Sequence, residues 1–423
     1  MKTLLLILSN EYRNERAAIR HRNQEVDSYE DYKDEMYMTR LRAVAQRRYL
    51  LRKPTYRKRK SFDWEDIISE DSETYSEEEF QQLFRMSRSS FKELHNKIKD
   101  HRIFQIKNTL KRKARDSWKQ LLVFLYRLGK EGNGGTSKSV GSFFRIAHGS
   151  VVNYIRNVIQ AIMSIKHEYL RWHTDEEKEN MKVRCGVSKG FFHCVGIIDG
   201  TLVFFNSKPQ LDGEAYFTRK GGYAINVMVV CDDVGKILYL YGGWPGSAHD
   251  NRVWKNCRLF TKREEYFGDR DYLIGDAAFS ASPIMVQSFK KDARTGYLSP
   301  EKEFFNTKLG SLRIKSEHCI GMLKGRFPCL RRVSGSLKNA ADMKYILQLV
   351  ESSAILHNFL LQKGDFIDQS WFDEINDSMD IDDSGDGGDE YDIRGAEYDR
   401  RESVFFQFLI ISIPNHKIIM SIF

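Results

Sequence analysis

Four acidic residues in the middle of the chain are spaced so that carboxylates could work together. Asp199 directly follows the apolar run Gly196-Ile197-Ile198 and precedes Gly200-Thr201. Asp250 closes the segment that starts at Gly243-Trp244-Pro245, Asp276 follows Tyr272-Leu273-Ile274-Gly275, and Glu317 lies in a helical stretch one turn after Arg313. Cutting a phosphodiester requires charge to be neutralised on the attacking and leaving oxygens. Two divalent cations sharing carboxylate ligands achieve this by clamping an in-line displacement. Acids at the ends of central strands converge on one sheet edge, where they repel and raise one another's pKa unless a cation sits among them. Taken singly, each has a plainer role: Asp199 as a turn residue, Asp250 and Asp276 as helix caps, Glu317 as an exposed helix charge. Taken together, metal binding accounts for the set better than four independent caps.

The elements that would carry these acids show a change of period. Val195 to Ile198 and Leu202 to Phe205, Ile225 to Cys231, Ile237 to Tyr241 and Tyr272 to Ile274 are short β-branched or aromatic runs separated by turn signals such as Asp232-Asp233-Val234-Gly235. They predict strands, including a meander, with Asp199 in a turn between the first two runs. Helices are expected over Asn251 to Phe260, around Phe304 to Lys324, and over Met343 to Leu361. Upstream, from Ser76 to Ile162, apolar residues recur at helical spacing, as in Phe80, Leu83, Phe84 and later Leu121, Leu122, Leu125. The end of that region has a helix-turn-helix cadence: a first helix over Ser137 to Arg145, a turn at His148-Gly149, then Ser150 capping a helix through Ile162. Asn153, Arg156, Asn157 and Gln160 form its polar face. That face suits a DNA major groove, and the same pattern fits a helical hairpin that only packs on the catalytic domain.

Length and charge bound the rest. A chain of 423 residues holds two or three domains. Its formal net charge of +9 averages a strongly basic start and an acidic stretch near the end. Basic excess attracts polyanions, nucleic acid foremost. The division expected is a basic arm over residues 1–60, a helical DNA-binding domain over 61–170, a charged linker from Arg171 to Lys189, a catalytic domain over 190–362, an acidic disordered tail over 365–400, and an apolar stretch of unassigned role over 401–423. The run Lys53 to Lys60 is a candidate nuclear-import signal, and reads equally as a solvated tail. Six cysteines without a C-x-x-C pair are expected to be reduced core thiols. The short apolar run after Lys2 is not read as a secretory signal, and no membrane span is expected.

A resemblance then becomes specific. Gly196 to Thr201, Arg219-Lys220-Gly221-Gly222-Tyr223 with Ala224 to Val227, Gly243 to Val253, and Leu273-Ile274-Gly275-Asp276 resemble the Harbinger (PIF-type) transposases and their host-domesticated nuclease relatives. Phe305-Asn306, Arg313, Glu317 and Leu323-Lys324-Gly325-Arg326-Phe327 continue the series in order, so the resemblance covers about residues 190 to 360. Two mild departures are Leu202 and Phe279, where many relatives carry His and Tyr. The resemblance implies an α/β, ribonuclease-H-like mixed sheet with metal ligands at Asp199, Asp250, Asp276 and Glu317. In that fold Asp199, Asp276 and Glu317 fit as the core triad, with Asp250 an extra ligand or the alternative second member.

The function this implies is a DDE-type transposase or endonuclease. Using Mg²⁺ or Mn²⁺, it would hydrolyse DNA at an element's end and then join the released 3′ hydroxyl to target DNA. The rivals are a domesticated nuclease that has kept only the cutting step, and a catalytically inactive DNA-binding or recruitment protein. Arg156, Asn157, Arg219, Lys220, His249, Lys324 and Arg326 are candidate DNA contacts, and His249 reads equally as an orienting partner of Asp250. By resemblance the partners are DNA and a Myb-like DNA-binding protein. A second copy of the chain is a further candidate, no membrane is expected, and the compartment is the nucleus.

Overall fold

The computed structural model describes residues 35–36, 38–39, 62–70, 72, 74–105, 116–280, 282–365 and 400–412. The basic run Lys53 to Lys60 and nearly all of the acidic stretch lie outside them. Ahead of the sheet come α1 (Glu77–Phe84), α2 (Arg88–Ile98), α3 (Ser117–Leu128), α4 (Ser137–Phe143), α5 (His148–Ser164) and α6 (Asp175–Lys189). The first of these is closed by a capping box in which Ser76 and Glu79 satisfy each other's backbone amides. Phe80, Phe84, Phe91, Leu94, Leu121 and Phe124 are buried in a cluster that continues into the sheet's own core. The described residues between 62 and 170 and the sheet thus share one interior.

Two expectations about these helices change. The helix expected to start at Ser150 begins at His148, after Ala147, with no side-chain cap. Its residues Val151, Ile155, Val158 and Ile159 are buried, and it packs against α3, α4 and a C-terminal helix. Asn153, Arg156 and Gln160 are exposed, whereas the Asn157 side chain turns inward and donates to Gln120 Oε1 at 2.9 Å. The segment expected as a linker is α6, started by a Thr174–Glu177 capping box and ended by Gly190 at φ +88°. Only Met181, Cys185 and Gly186 are buried on it, too sparse an apolar stripe to register as periodicity. Ion pairs hold it instead, Glu177 to Lys236 at 2.7 Å and Lys182 to Asp271 at 2.8 Å.

The sheet comprises β1 (Cys194–Phe205), β2 (Ala224–Cys231), β3 (Ile237–Pro245), β4 (Tyr272–Ile274), β5 (Met285–Val286) and β6 (Arg332–Val333). Its order is β3-β2-β1-β4-β5, with β6 also on β1. The expected meander of two strands is part of a longer antiparallel run, β1-β2-β3, while β4 and β6 run parallel to β1. This mixed order is consistent with a ribonuclease-H-like sheet. Contrary to expectation, β1 does not break at Asp199-Gly200-Thr201. Continuous pairing to β2 from Ile197 to Phe204 overrides the local turn preference of Asp-Gly. The opposite edge of β1 is paired to β4 only as far as Ile197 and to β6 only from Phe204. Asp199 therefore lies within a 12-residue strand yet beside a gap in the sheet.

Between and after the strands lie α7 (Asp250–Lys255), α8 (Pro300–Arg326), α9 (Ala340–Lys363) and α10 (Arg400–Ser412). The apolar stretch without an assigned role supplies α10, whose Phe405 and Phe408 pack on Phe305 of α8. All six cysteines are buried and free. Among the described residues no helix is long and apolar enough to cross a membrane.

Buried Asn358 of α9 caps the start of the edge strand β3 at Ile237. Its Oδ1 accepts from Ile237 N at 2.8 Å, and its Nδ2 donates to Ile237 O and to Tyr169 O, each at 2.7 Å. One side chain thereby satisfies the outer backbone groups of Ile237 and ties the helical region to the sheet. Asn358→Ala leaves buried backbone groups unpaired and should cost about 3 kcal/mol or more in urea unfolding. A loss under about 1 kcal/mol would show that the edge tolerates solvent there.

Candidate active site

Three of the four acids meet around the middle of β1. The Asp199 carboxylate accepts from Gly200 N at 2.8 Å. Asp276 follows β4 where that strand parts from β1, and its Oδ1 accepts from Ala277 N at 2.5 Å. Asp250, the first residue of α7, lies against Gly200: a Cβ there would come within 2.5 to 2.6 Å of all three carboxyl atoms of Asp250. Glycine at 200 is what lets this carboxylate approach the strand. Gly275 similarly admits Ile198, Met285 and Phe279, each at 2.9 Å from where a Cβ would stand, and so seats the Asp276 loop on the sheet.

Glu317 stands further out, on α8, with its side chain 52% exposed. Arg313, one turn earlier, lies between it and the aspartates, at 3.6 Å from Glu317 Oε1 and 3.5 Å from Asp276 Oδ1. Two neighbours with no role assigned from sequence hold the aspartates in place. Asn226 of β2, buried, donates to Asp250 Oδ1 at 2.6 Å and to Ala248 O at 3.1 Å. Asn251 is paired with Ser280 at both ends, Nδ2 to Oγ at 2.5 Å and Oδ1 from Ser280 N at 3.1 Å, fastening α7 to the loop after Asp276. Their signal in the sequence was only their place inside the matching phrases, since an asparagine in a strand has no distinctive period.

Burial raises the Asp199 pKa to about 7. The Arg313 charge and the Gly200 amide oppose the rise, and the negative charges of Asp250 and Asp276 add to it. Asp250 is also raised, by burial first and by Asp276, with the Asn226 hydrogen bond opposing. Among the described residues, no three His, Cys, Asp or Glu side chains are gathered tightly enough to hold an ion as they stand. Asp250 is held by Asn226, and Asp276 and Glu317 share Arg313. The donors nonetheless suit a hard divalent cation: they are all carboxylate oxygens, Gly200 leaves the approach open, and the buried Asn226 Oδ1 beside Asp250 has no hydrogen-bond partner.

The expected DNA contacts divide. Arg219 and Lys220 are exposed in a tight turn closed by Thr218 N to Gly222 O, and Arg219 Nη2 lies 3.3 Å from the exposed His249 Nε2, next to Asp250. Lys324 points into the gap along β1 and donates to Leu202 O at 2.8 Å, its pKa pushed down to about 8 by burial. Arg326 is 3% exposed and is committed to Asp365 at 3.2 Å and Arg85 O at 3.1 Å. Its guanidinium is buried and occupied by these partners, where it helps hold the end of α8. Asn157 is half-buried with its Nδ2 bonded to Gln120, and Arg156 is exposed.

Residues 198–358 match the family described as DDE superfamily endonuclease, a span that begins one residue before Asp199 and includes all four acids. Among curated proteins, the chain is similar to "Putative nuclease HARBI1" of Homo sapiens, at 23% identity over 241 residues, 57% of this chain and 67% of that protein. The protein of the same name from Xenopus laevis is 24% identical over 236 residues, 56% and 66% of the two chains. "Protein ALP1-like" of Arabidopsis thaliana is 22% identical over 266 residues, 58% and 61%. No solved structure matches the chain.

The raised Asp199 pKa has a consequence for stability. A carboxyl that titrates near 7 in the fold and near 3.8 when unfolded favours folding in its neutral form. Its contribution is whole below pH 4, declines as the pH rises, and is lost above about 7. In EDTA, Asp199→Asn should therefore gain stability relative to the wild type between pH 4 and 8, by on the order of 2–4 kcal/mol. Parallel pH profiles of the two proteins in thermal unfolding would contradict this.

Proposed function

We propose a metal-dependent DNA-cutting activity for this chain on the premise that residues 198–358 are a DDE superfamily endonuclease domain, in a homologue of nucleases derived from Harbinger transposases. The observation that carries the proposal is the convergence of Asp199, Asp250 and Asp276 on the middle of β1, inside the matched span. Those three, with Glu317 from α8, are the residues that would hold Mg²⁺ or Mn²⁺. The bound cation would supply charge neutralisation on the phosphodiester as it is displaced in line.

This chain's own residues supply the rest. Asn226 fixes the orientation of the Asp250 carboxylate, and Asn251 and Ser280 hold the Asp276 loop to α7. Arg219, Lys220 and His249 form an exposed basic rim beside Asp250, suited to positioning a phosphate backbone rather than reading bases. Arg156, on the exposed face of α5, is a further contact in this reading. Water and then a released 3′ hydroxyl would be successive nucleophiles in one site, which gives cleavage followed by strand transfer on DNA. The names of the relatives favour cleavage as the retained activity. Nuclear residence directed by Lys53 to Lys60, a Myb-like DNA-binding partner and self-association belong to the same proposal.

Amide substitution tests it, because Asn and Gln keep size and hydrogen bonding but remove the ligand charge. Asp199→Asn, Asp276→Asn and Glu317→Gln should each lower Mg²⁺-dependent cleavage of end-labelled duplex DNA by roughly 10²-fold or more while DNA binding persists. Asp250→Asn should be severe as well, with partial recovery in Mn²⁺. Cleavage that survives Asp199→Asn would refute the assignment. Survival in Asp276→Asn but not in Asp250→Asn would make Asp250 the second core acid.

A further inference from the structure

Arg313 is the cation in direct contact with two of the acids. Its guanidinium lies 3.5 Å from Asp276 Oδ1 and 3.6 Å from Glu317 Oε1, and it is the charge that most strongly offsets the burial of Asp199. Neither contact is short enough to be a good hydrogen bond, so the group is held by charge more than by directed bonding. The side chain is 21% exposed and projects from α8 one turn before Glu317. An ordinary i, i+4 pair serves one carboxylate, but this guanidinium faces carboxylates from three elements: β1, the loop after β4, and α8.

We propose that Arg313 is an internal counter-cation: in the metal-free protein it neutralises the acids that a divalent ion would otherwise neutralise, and ion binding releases its guanidinium to a DNA phosphate. The inference rests on the metal-binding reading given above. Cations compete for the same carboxylates, so a resident guanidinium weakens ion binding and its removal strengthens it. Once an ion has taken Asp276, the freed planar fork is the side-chain geometry best matched to two phosphate oxygens. The exchange keeps the carboxylates compensated in both states, and it couples ion uptake to the appearance of a phosphate-binding group in the same place.

A merely supporting role for Arg313, holding Glu317 in position, gives the opposite sign for ion binding. The discriminating experiment is a Mn²⁺ titration of the full-length chain, read by loss of the free-ion paramagnetic resonance signal, for the wild type, Arg313→Gln and Arg313→Lys. Arg313→Gln should bind Mn²⁺ roughly tenfold more tightly than the wild type, with Arg313→Lys between them. In Mn²⁺, Arg313→Gln should also bind short duplex DNA several-fold more weakly. Mn²⁺ binding by Arg313→Gln that is equal to or weaker than that of the wild type would overturn the inference and leave the metal reading standing. Absence of Mn²⁺ binding in all three proteins would overturn both. If Arg313→Gln does not fold, the comparison passes to thermal unfolding of Arg313→Lys: a larger Mn²⁺-induced stabilisation than in the wild type supports the inference, and an equal or smaller one overturns it.

Discussion

Carboxylates from three segments crowd one point of a central strand, and much of the architecture serves to hold them there against their mutual repulsion. Burial raises the proton affinity of Asp199 and of Asp250, the charge of Asp276 adds to both and that of Asp250 to Asp199, and Arg313 offsets the rise at Asp199. Groups that repel stay together only when their backbones are fixed by other means. Asp199 is fixed by continuous pairing of β1 to β2, Asp276 by the parallel run of β4, and Asp250 by Asn226 and by the room above Gly200. The gap along β1 between β4 and β6 gives the carboxylates access to solvent that a fully paired central strand would deny.

Positions far from the acids serve the same end. Asn358 satisfies both backbone groups of Ile237 at the start of β3, the outer strand of the meander that carries Asn226. Buried Arg326 pairs with Asp365 at the end of α8, while Phe305 near its start is covered by Phe405 and Phe408. The helix that carries Arg313 and Glu317 is thereby anchored at both ends, with its charged middle turned to the site.

Asp199 and Asp276 were legible in the sequence because each follows a short apolar run that reads as a strand from its β-branched and aromatic residues, whereas Asp250 and Glu317 were placed by the resemblance. What surrounds them was less so. The Asp-Gly-Thr phrase carries a turn preference that β2 pairing overrides, and pairing across 20 or more residues leaves no local mark. The α6 helix was hidden because it is held by capping and ion pairs rather than by an apolar stripe. Arg326 and Asn157 look the same in sequence as Arg219 and Asn153, and only their partners, Asp365 and Gln120, separate the inward pair from the exposed one. Asn226 was unreadable for the same reason, since its role comes from Asp250, which is 24 residues away.

At the centre of the proposed chemistry, these carboxylates exchange protons for a divalent cation. Calorimetric titration of Mg²⁺ into metal-free protein at pH 6.5, repeated in buffers of different ionisation enthalpy, measures that exchange directly. With Asp199 titrating near 7, binding should release up to about one proton per protein in the wild type and much less in Asp199→Asn. Mg²⁺ binding without proton release, or identical release in the two proteins, would contradict it.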